Sequence, residues 1–129
     1  MIVLDTAVLI KVEKGDNALI NRLEDLKAQL GEELVLTAPG YAEALHGFVV
    51  IGKQELGEEF LHPFDVIPFD TSSARTCALL KHDLEKSGNM IPAFDLMIAS
   101  IAMISNSTLV SFDKHFERVA GLKLILLQG

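Results

Sequence analysis

The chain has 129 residues, half of them apolar, and carries 18 Asp and Glu against 11 Lys and Arg for a net charge of −7. That length and apolar mass describe one domain with a full core; they exclude a disordered tail and, with Cys77 as the single cysteine, a disulfide-stapled scaffold. The acidic balance argues against a high-affinity DNA binder, because contacts to phosphate come mainly from Lys and Arg.

In chain order, MIVLD reads as a short buried strand, and TAVLIKVE as a brief helix capped by Thr6 that stops near Gly15. A second helix starts at Asp16, carries Leu19, Leu23, Leu26 and Leu30 on one stripe, and meets a stop signal at Gly31. LVLT, residues 34–37, is the next strand. Pro39 suits the first turn of a helix expected to bury Ala42, Leu45 and Val49 and to run to about Gly52, and a short helix follows around ELGEEFL. FDVIPFD is a strand interrupted by Pro68, which places it at a sheet edge. Thr71 or Ser72 caps a helix bearing Ala74, Cys77, Leu80 and Leu84 at helical spacing and ending at Gly88. Asp95 opens LMIASIAMIS, whose nearly continuous apolar surface fits a helix buried against the sheet. TLVSF and LKLILL are the last two strands.

Strands alternating with helices at this spacing predict an α/β fold over residues 1–129, a single three-layer domain with a parallel sheet covered on both faces. The N-terminus lacks the basic region of a signal peptide, and LMIASIAMI is too short to span a bilayer, so a cytoplasmic protein without membrane contact is expected.

Four acids stand just after apolar runs or at the openings of helices: Asp5, Glu43, Asp95 and Asp113. Right-handed crossovers would bring the carboxyl ends of the first and fourth strands together, and with them Asp5 and Asp113. Glu43, one turn into its helix, and Asp95, at the positive end of another, can reach the same cleft. Taken singly, Asp5 or Asp95 reads equally well as a cap or a dipole partner, Asp113 as a turn residue and Glu43 as a solvent-facing side chain. Together the four repel one another unless a cation joins them, and hard oxygen ligands suit Mg²⁺ or Mn²⁺. Setting these four aside leaves 14 acids against 11 basic residues, a balance of −3, so the cluster accounts for more than half of the net charge. His115 and Arg118 read as a solvated helix face, and Phe112 and Phe116 as core.

The succession LDTAVLI, AEALHG, IPAFDLMIAS and LVSFDKHFERVAGLKL resembles the PIN-domain nucleases, in particular the small VapC-type ribonuclease toxins of toxin–antitoxin pairs. The resemblance covers essentially the whole chain. It implies a flavodoxin-like sheet and a Mg²⁺- or Mn²⁺-dependent endoribonuclease acting on RNA, usually a homodimer and held inactive by a cognate antitoxin. The family's four acidic positions fall on Asp5, Glu43, Asp95 and Asp113, with Thr6 and Ser111 as hydroxyl neighbours. Asp5, Asp95 and Asp113 are then the expected metal ligands, direct or through water, and Glu43 a ligand or a base that orients water. Two positions depart from the family pattern: Ala7 stands where Asn is common, and Phe94 where a polar residue commonly precedes the third acid. Neither is a ligand, so metal binding is expected to survive both. Two alternatives use the same architecture, a PIN-like scaffold without catalysis and a housekeeping RNA-processing nuclease.

Overall fold

Successive side chains of the first strand point to opposite faces, yet Ile2, Val3 and Leu4 are all buried, so this strand has no wet side. The computed structural model describes residues 1–129 and explains why. Strands β1 (Ile2–Leu4), β2 (Leu34–Thr37), β3 (Val66–Ile67), β4 (Thr108–Ser111) and β5 (Leu124–Leu126) form one parallel sheet in the order β3-β2-β1-β4-β5. Helices α1 (Thr6–Glu13), α2 (Asn17–Leu30), α3 (Ala38–Val50) and α4 (Gln54–Leu61) supply one layer, packing Val8, Leu9, Leu23, Ala44 and Leu61 onto Ile2, Leu4, Leu36 and Val110. Helices α5 (Thr71–Ser87) and α6 (Ala93–Ile104) cover the other face, where Leu84, Ile98, Ala99 and Ala102 meet Val3, Val35 and Leu109. The three-layer α/β arrangement is the one read from the sequence, with the Pro68-bounded strand at one edge. β1 lies at the centre. The chain builds outward from it through β2 and β3, then returns to its other side with β4, so the carboxyl ends of β1 and β4 flank a topological switch point.

Local signals set most boundaries, and two caps differ from the sequence expectation. Asp5, not Thr6, caps α1, its carboxylate accepting from the Thr6 backbone N–H. Asp70 caps α5 in place of Thr71 or Ser72; it takes both the backbone N–H and the hydroxyl of Ser73, and these bonds hold its carboxyl below the usual range. A carboxylate one residue upstream wins because it accepts without having to orient a hydroxyl proton. Asp16, where the sequence places the start of the second helix, caps α2, and Gly31 and Gly88 end α2 and α5 in the left-handed conformation that glycine adopts without a side-chain clash.

The buried stripe of α3 also differs. Ala42 and Val49 face solvent and Leu45 is half-buried, while Gly40, Ala44 and Phe48 form the inward row. Four-residue spacing of two small residues and one ring lets α3 approach its neighbours closely, and α4 answers with Gly57 lying directly against the Phe48 ring. Similarly, Ala74 is exposed on α5, where Ser73 and Leu84 turn inward.

Gly57 generates a sign test. Alanine in a helix interior is ordinarily favoured over glycine by about 1 kcal/mol. A Cβ at Gly57, however, would stand 2.7 Å from Cγ and 2.8 Å from Cβ of Phe48, so Gly57→Ala should destabilise by roughly 1–3 kcal/mol in urea unfolding. Gly47→Ala, on exposed α3 surface with nothing within 4 Å, should stabilise by about 0.5–1 kcal/mol. Equal effects at the two positions would contradict this packing.

Candidate functional site

The backbone delivers the four acids to one place by four different devices. Asp5 leaves the end of β1, where its own N–H still bonds Val110 O on β4. Asp113 leaves β4 two residues beyond the strand. Thr37 caps α3 through a 3.0 Å bond from Gly40 N–H to its hydroxyl, and the helix it starts carries Glu43. Asp95 sits in the first turn of α6.

Three polar side chains stitch these acids into a continuous network. The Thr6 hydroxyl donates to Glu43 Oε1 at 2.8 Å, and the Thr6 backbone N–H donates to Asp5 Oδ1 at 2.8 Å. The fully buried Ser111 donates its hydroxyl to Asp5 Oδ2 at 2.8 Å and accepts from the Asp113 backbone N–H at 3.0 Å. The third link is His115, which the sequence pattern assigned to a solvated face. Its side chain is 16% exposed, with Nδ1 2.9 Å from Asp113 Oδ1 and Nε2 2.9 Å from Asp95 Oδ2. Residues Lys114–Arg118 form a 3₁₀ helix capped by Asp113, and this tight turn folds His115 back over the acids. The short Asp-x-His spacing before a buried Phe116 was the available signal; only the turn type says that the ring points inward. Arg118 is structural here, donating from Nη1 to Met90 O at 2.7 Å and so tying this turn to the loop that leads into α6. The two positions that depart from the family pattern, Ala7 and Phe94, are both exposed.

Crowding is visible in the electrostatics. Burial pushes the Asp5 carboxyl above its usual range and the Asp113 charge adds to the shift, while the bonds from Ser111 and Thr6 oppose it. Asp95 is pushed up to about 6, first by burial and then by the charges of Asp5 and Glu43, against the opposing influence of His115. His115 Nε2 is buried and its approach to Asp95 is not aligned as a hydrogen bond. One ligand atom each from Asp95, Asp113 and His115 lies within 4.8 Å of the others. Carboxylates in mutual repulsion beside an unsatisfied imidazole nitrogen form a donor set that fits a divalent cation.

The raised Asp95 carboxyl predicts the pH dependence of the metal-free protein. A folded-state value of about 6 against an ordinary value of about 3.9 means that the folded chain holds this proton more tightly than the unfolded one. The resulting stabilisation is complete below about pH 4 and is lost as pH rises through about 6. In chelator, wild type should therefore lose stability relative to Asp95→Asn across that window in denaturant unfolding. Parallel curves for the two proteins would refute the coupling.

The PIN domain family model matches residues 2–122. The fold superposes on a chain of VapBC2 from Rickettsia felis, solved bound to a promoter DNA fragment, with a TM-score of 0.86 and 28% identity over 99% of this chain and 100% of that one. A chain of VapBC-1 from nontypeable Haemophilus influenzae aligns with a TM-score of 0.83 and 24% identity over 98% of both chains. A chain of VapBC-5 from Mycobacterium tuberculosis, from the VapBC family of toxin-antitoxin systems, aligns at 0.68 and 24% over 98% of this chain and 97% of that one. No curated protein matches the chain. The family match runs from β1 to the approach of β5 and takes in every residue of the acidic network, and on it the chain belongs to the PIN domain family.

Proposed function

We propose that the chain is a Mg²⁺- or Mn²⁺-dependent endoribonuclease that hydrolyses RNA phosphodiester bonds and serves as the toxin of a toxin–antitoxin pair. The observation that supports this reading most strongly is the linked network of Asp5, Glu43, Asp95 and Asp113 at the switch point of a PIN-domain sheet. Asp5, Asp95 and Asp113 act as direct or water-mediated ligands, and Glu43 as a ligand or as the base that orients the attacking water. When bound, one or two divalent ions supply charge for the phosphate oxygens, an acidified water and support for the leaving oxygen. Thr6 fixes the direction of the Glu43 carboxylate. Ser111 does the same for Asp5 and anchors the backbone at Asp113, so the acceptor oxygens keep their aim as the phosphate enters. No side-chain nucleophile is needed.

The proposed partner is a cognate antitoxin. A groove of about 190 Å³, lined mainly by Leu9, Ile10, Ala44, Phe48, Ile51 and Phe60, runs beside the helix that carries Glu43. Its dimensions suit the apolar stripe of an amphipathic helix, from which an Arg or Lys can reach Asp5, Glu43 and Asp95 and pair with the carboxylates. Among the apolar residues of α1 and the end of α3, Val8 and Phe48 are buried and Val12 is half-buried, while Val50 at 69% and Ile51 at 62% exposure are the wettest. Those two, with Val49 and Leu56, support a homodimer or antitoxin contact at this end of the molecule.

Asp5→Asn and Asp95→Asn should each reduce cleavage of single-stranded RNA to the metal-free background, while the metal-free protein melts no lower than wild type because repulsion is relieved. Ser111→Ala, which removes only a support, should lower apparent metal affinity about 10- to 100-fold. Full activity of either Asn variant across a metal titration would sink the assignment. For the inhibitor, potency should fall as Mg²⁺ or Mn²⁺ rises, since cation and basic side chain compete for the same oxygens. An antitoxin whose potency is flat across that titration, and which tolerates Ala at its basic residues, inhibits by covering the cleft instead.

A further inference from the structure

Deepening the metal-dependent reading above, and resting on it, we infer that His115 is an inner ligand of the divalent ion through Nε2 and biases the site toward Mn²⁺ over Mg²⁺. Nε2 is buried without an aligned hydrogen-bond partner, yet Asp95 Oδ2 stands 2.9 Å from it. With the ring proton on Nδ1, two lone pairs face each other across this gap, and a divalent cation is a partner that both can share; ligands at adjacent positions on such an ion stand about 3 Å apart, which the gap accommodates.

The other side of the ring supports the same assignment. Nδ1 lies 2.9 Å from Asp113 Oδ1, the oxygen that also accepts from the His115 backbone N–H at 3.1 Å. A carboxylate behind the imidazole fixes which nitrogen carries the proton and turns the other toward the metal. The neighbouring Phe116 ring, fully buried and 4.8 Å from the imidazole between centroids, limits rotation further. Asp113 is half exposed, at 52%, and in this arrangement its Oδ1 also orients His115, in addition to its role as a direct or water-mediated ligand. Mg²⁺ prefers an all-oxygen shell; a nitrogen ligand shifts preference toward transition metals, of which Mn²⁺ best accepts the oxygen-rich remainder.

The test uses the full-length chain, stripped of metal and titrated by calorimetry with Mg²⁺ alone or Mn²⁺ alone, with no RNA present. Pulsed electron paramagnetic resonance of the Mn²⁺ complex then reads directly bound nitrogen. Wild type should bind Mn²⁺ more tightly than Mg²⁺ and show the nitrogen modulation of a ligated imidazole. His115→Gln should lose that modulation and at least about tenfold of its Mn²⁺ affinity, with Mg²⁺ affinity little changed. Asp95→Asn should bind neither ion. Saturable, Asp95-dependent Mn²⁺ binding without nitrogen modulation in wild type overturns the role of His115 and leaves the metal site standing. A wild-type chain that binds neither ion overturns both. The wild-type spectrum decides the matter even if His115→Gln fails to fold.

Discussion

Asp5 is a carboxylate held 6% exposed at the end of the central strand, and the arrangement of the site follows from the bonds that make this tolerable. A buried charge without partners carries a desolvation penalty of several kcal/mol. Asp5 meets it with one bond to the start of α1 and one to the end of β4. The same two bonds therefore begin a helix, fasten two strands and orient the carboxylate oxygens. Capping and the proposed ligand role are not separable at this residue, because one carboxylate would perform both.

The sheet explains why charge gathers at one edge. Its strands are two to four residues long and covered on both faces, so a charged side chain within them would enter one apolar layer or the other. Acids are admitted where strands end and helices begin, because backbone N–H groups and helix dipoles there offer positive partial charge. At the β1–β4 switch point two strand ends and two helix starts converge. Linkers of small reach, a Thr, a Ser and a His, then hold like charges closer than they would settle alone. That strain is visible in the raised carboxyls of Asp5 and Asp95, and a cation is the partner that relieves it.

The apolar groove adjoins this site along α3. Ala44 and Gly47 line the groove, and Glu43 immediately precedes Ala44 on the same helix. α3 itself is located by the close fit of Gly57 against Phe48 and by the Thr37 cap at its start. Groove and acids therefore share one turn of α3.

While Thr6 and Ser111 entered the site only through the family resemblance, the sequence by itself determined the element order, the two-sided parallel sheet, the Pro68-marked edge strand and the four candidate acids. These were readable because each rests on local chemistry: apolar runs too short to be anything but strands, glycines that end helices, and acids placed where a strand or helix turns. Tertiary structure decided the rest. Whether Ala42 and Val49 or Ala44 and Phe48 face inward depended on what α4 presents to α3, and periodicity alone does not contain that partner. Asp5 and Asp70 displaced the hydroxyl residues next to them as caps because the backbone entered each helix one residue earlier than the hydroxyls suggested. His115 became the third link because a 3₁₀ turn, rather than an α-helical one, sends its ring toward Asp95, twenty residues earlier at the start of α6. A contact of that kind is set by how α6 and β4 dock, a three-dimensional fact with no one-dimensional trace.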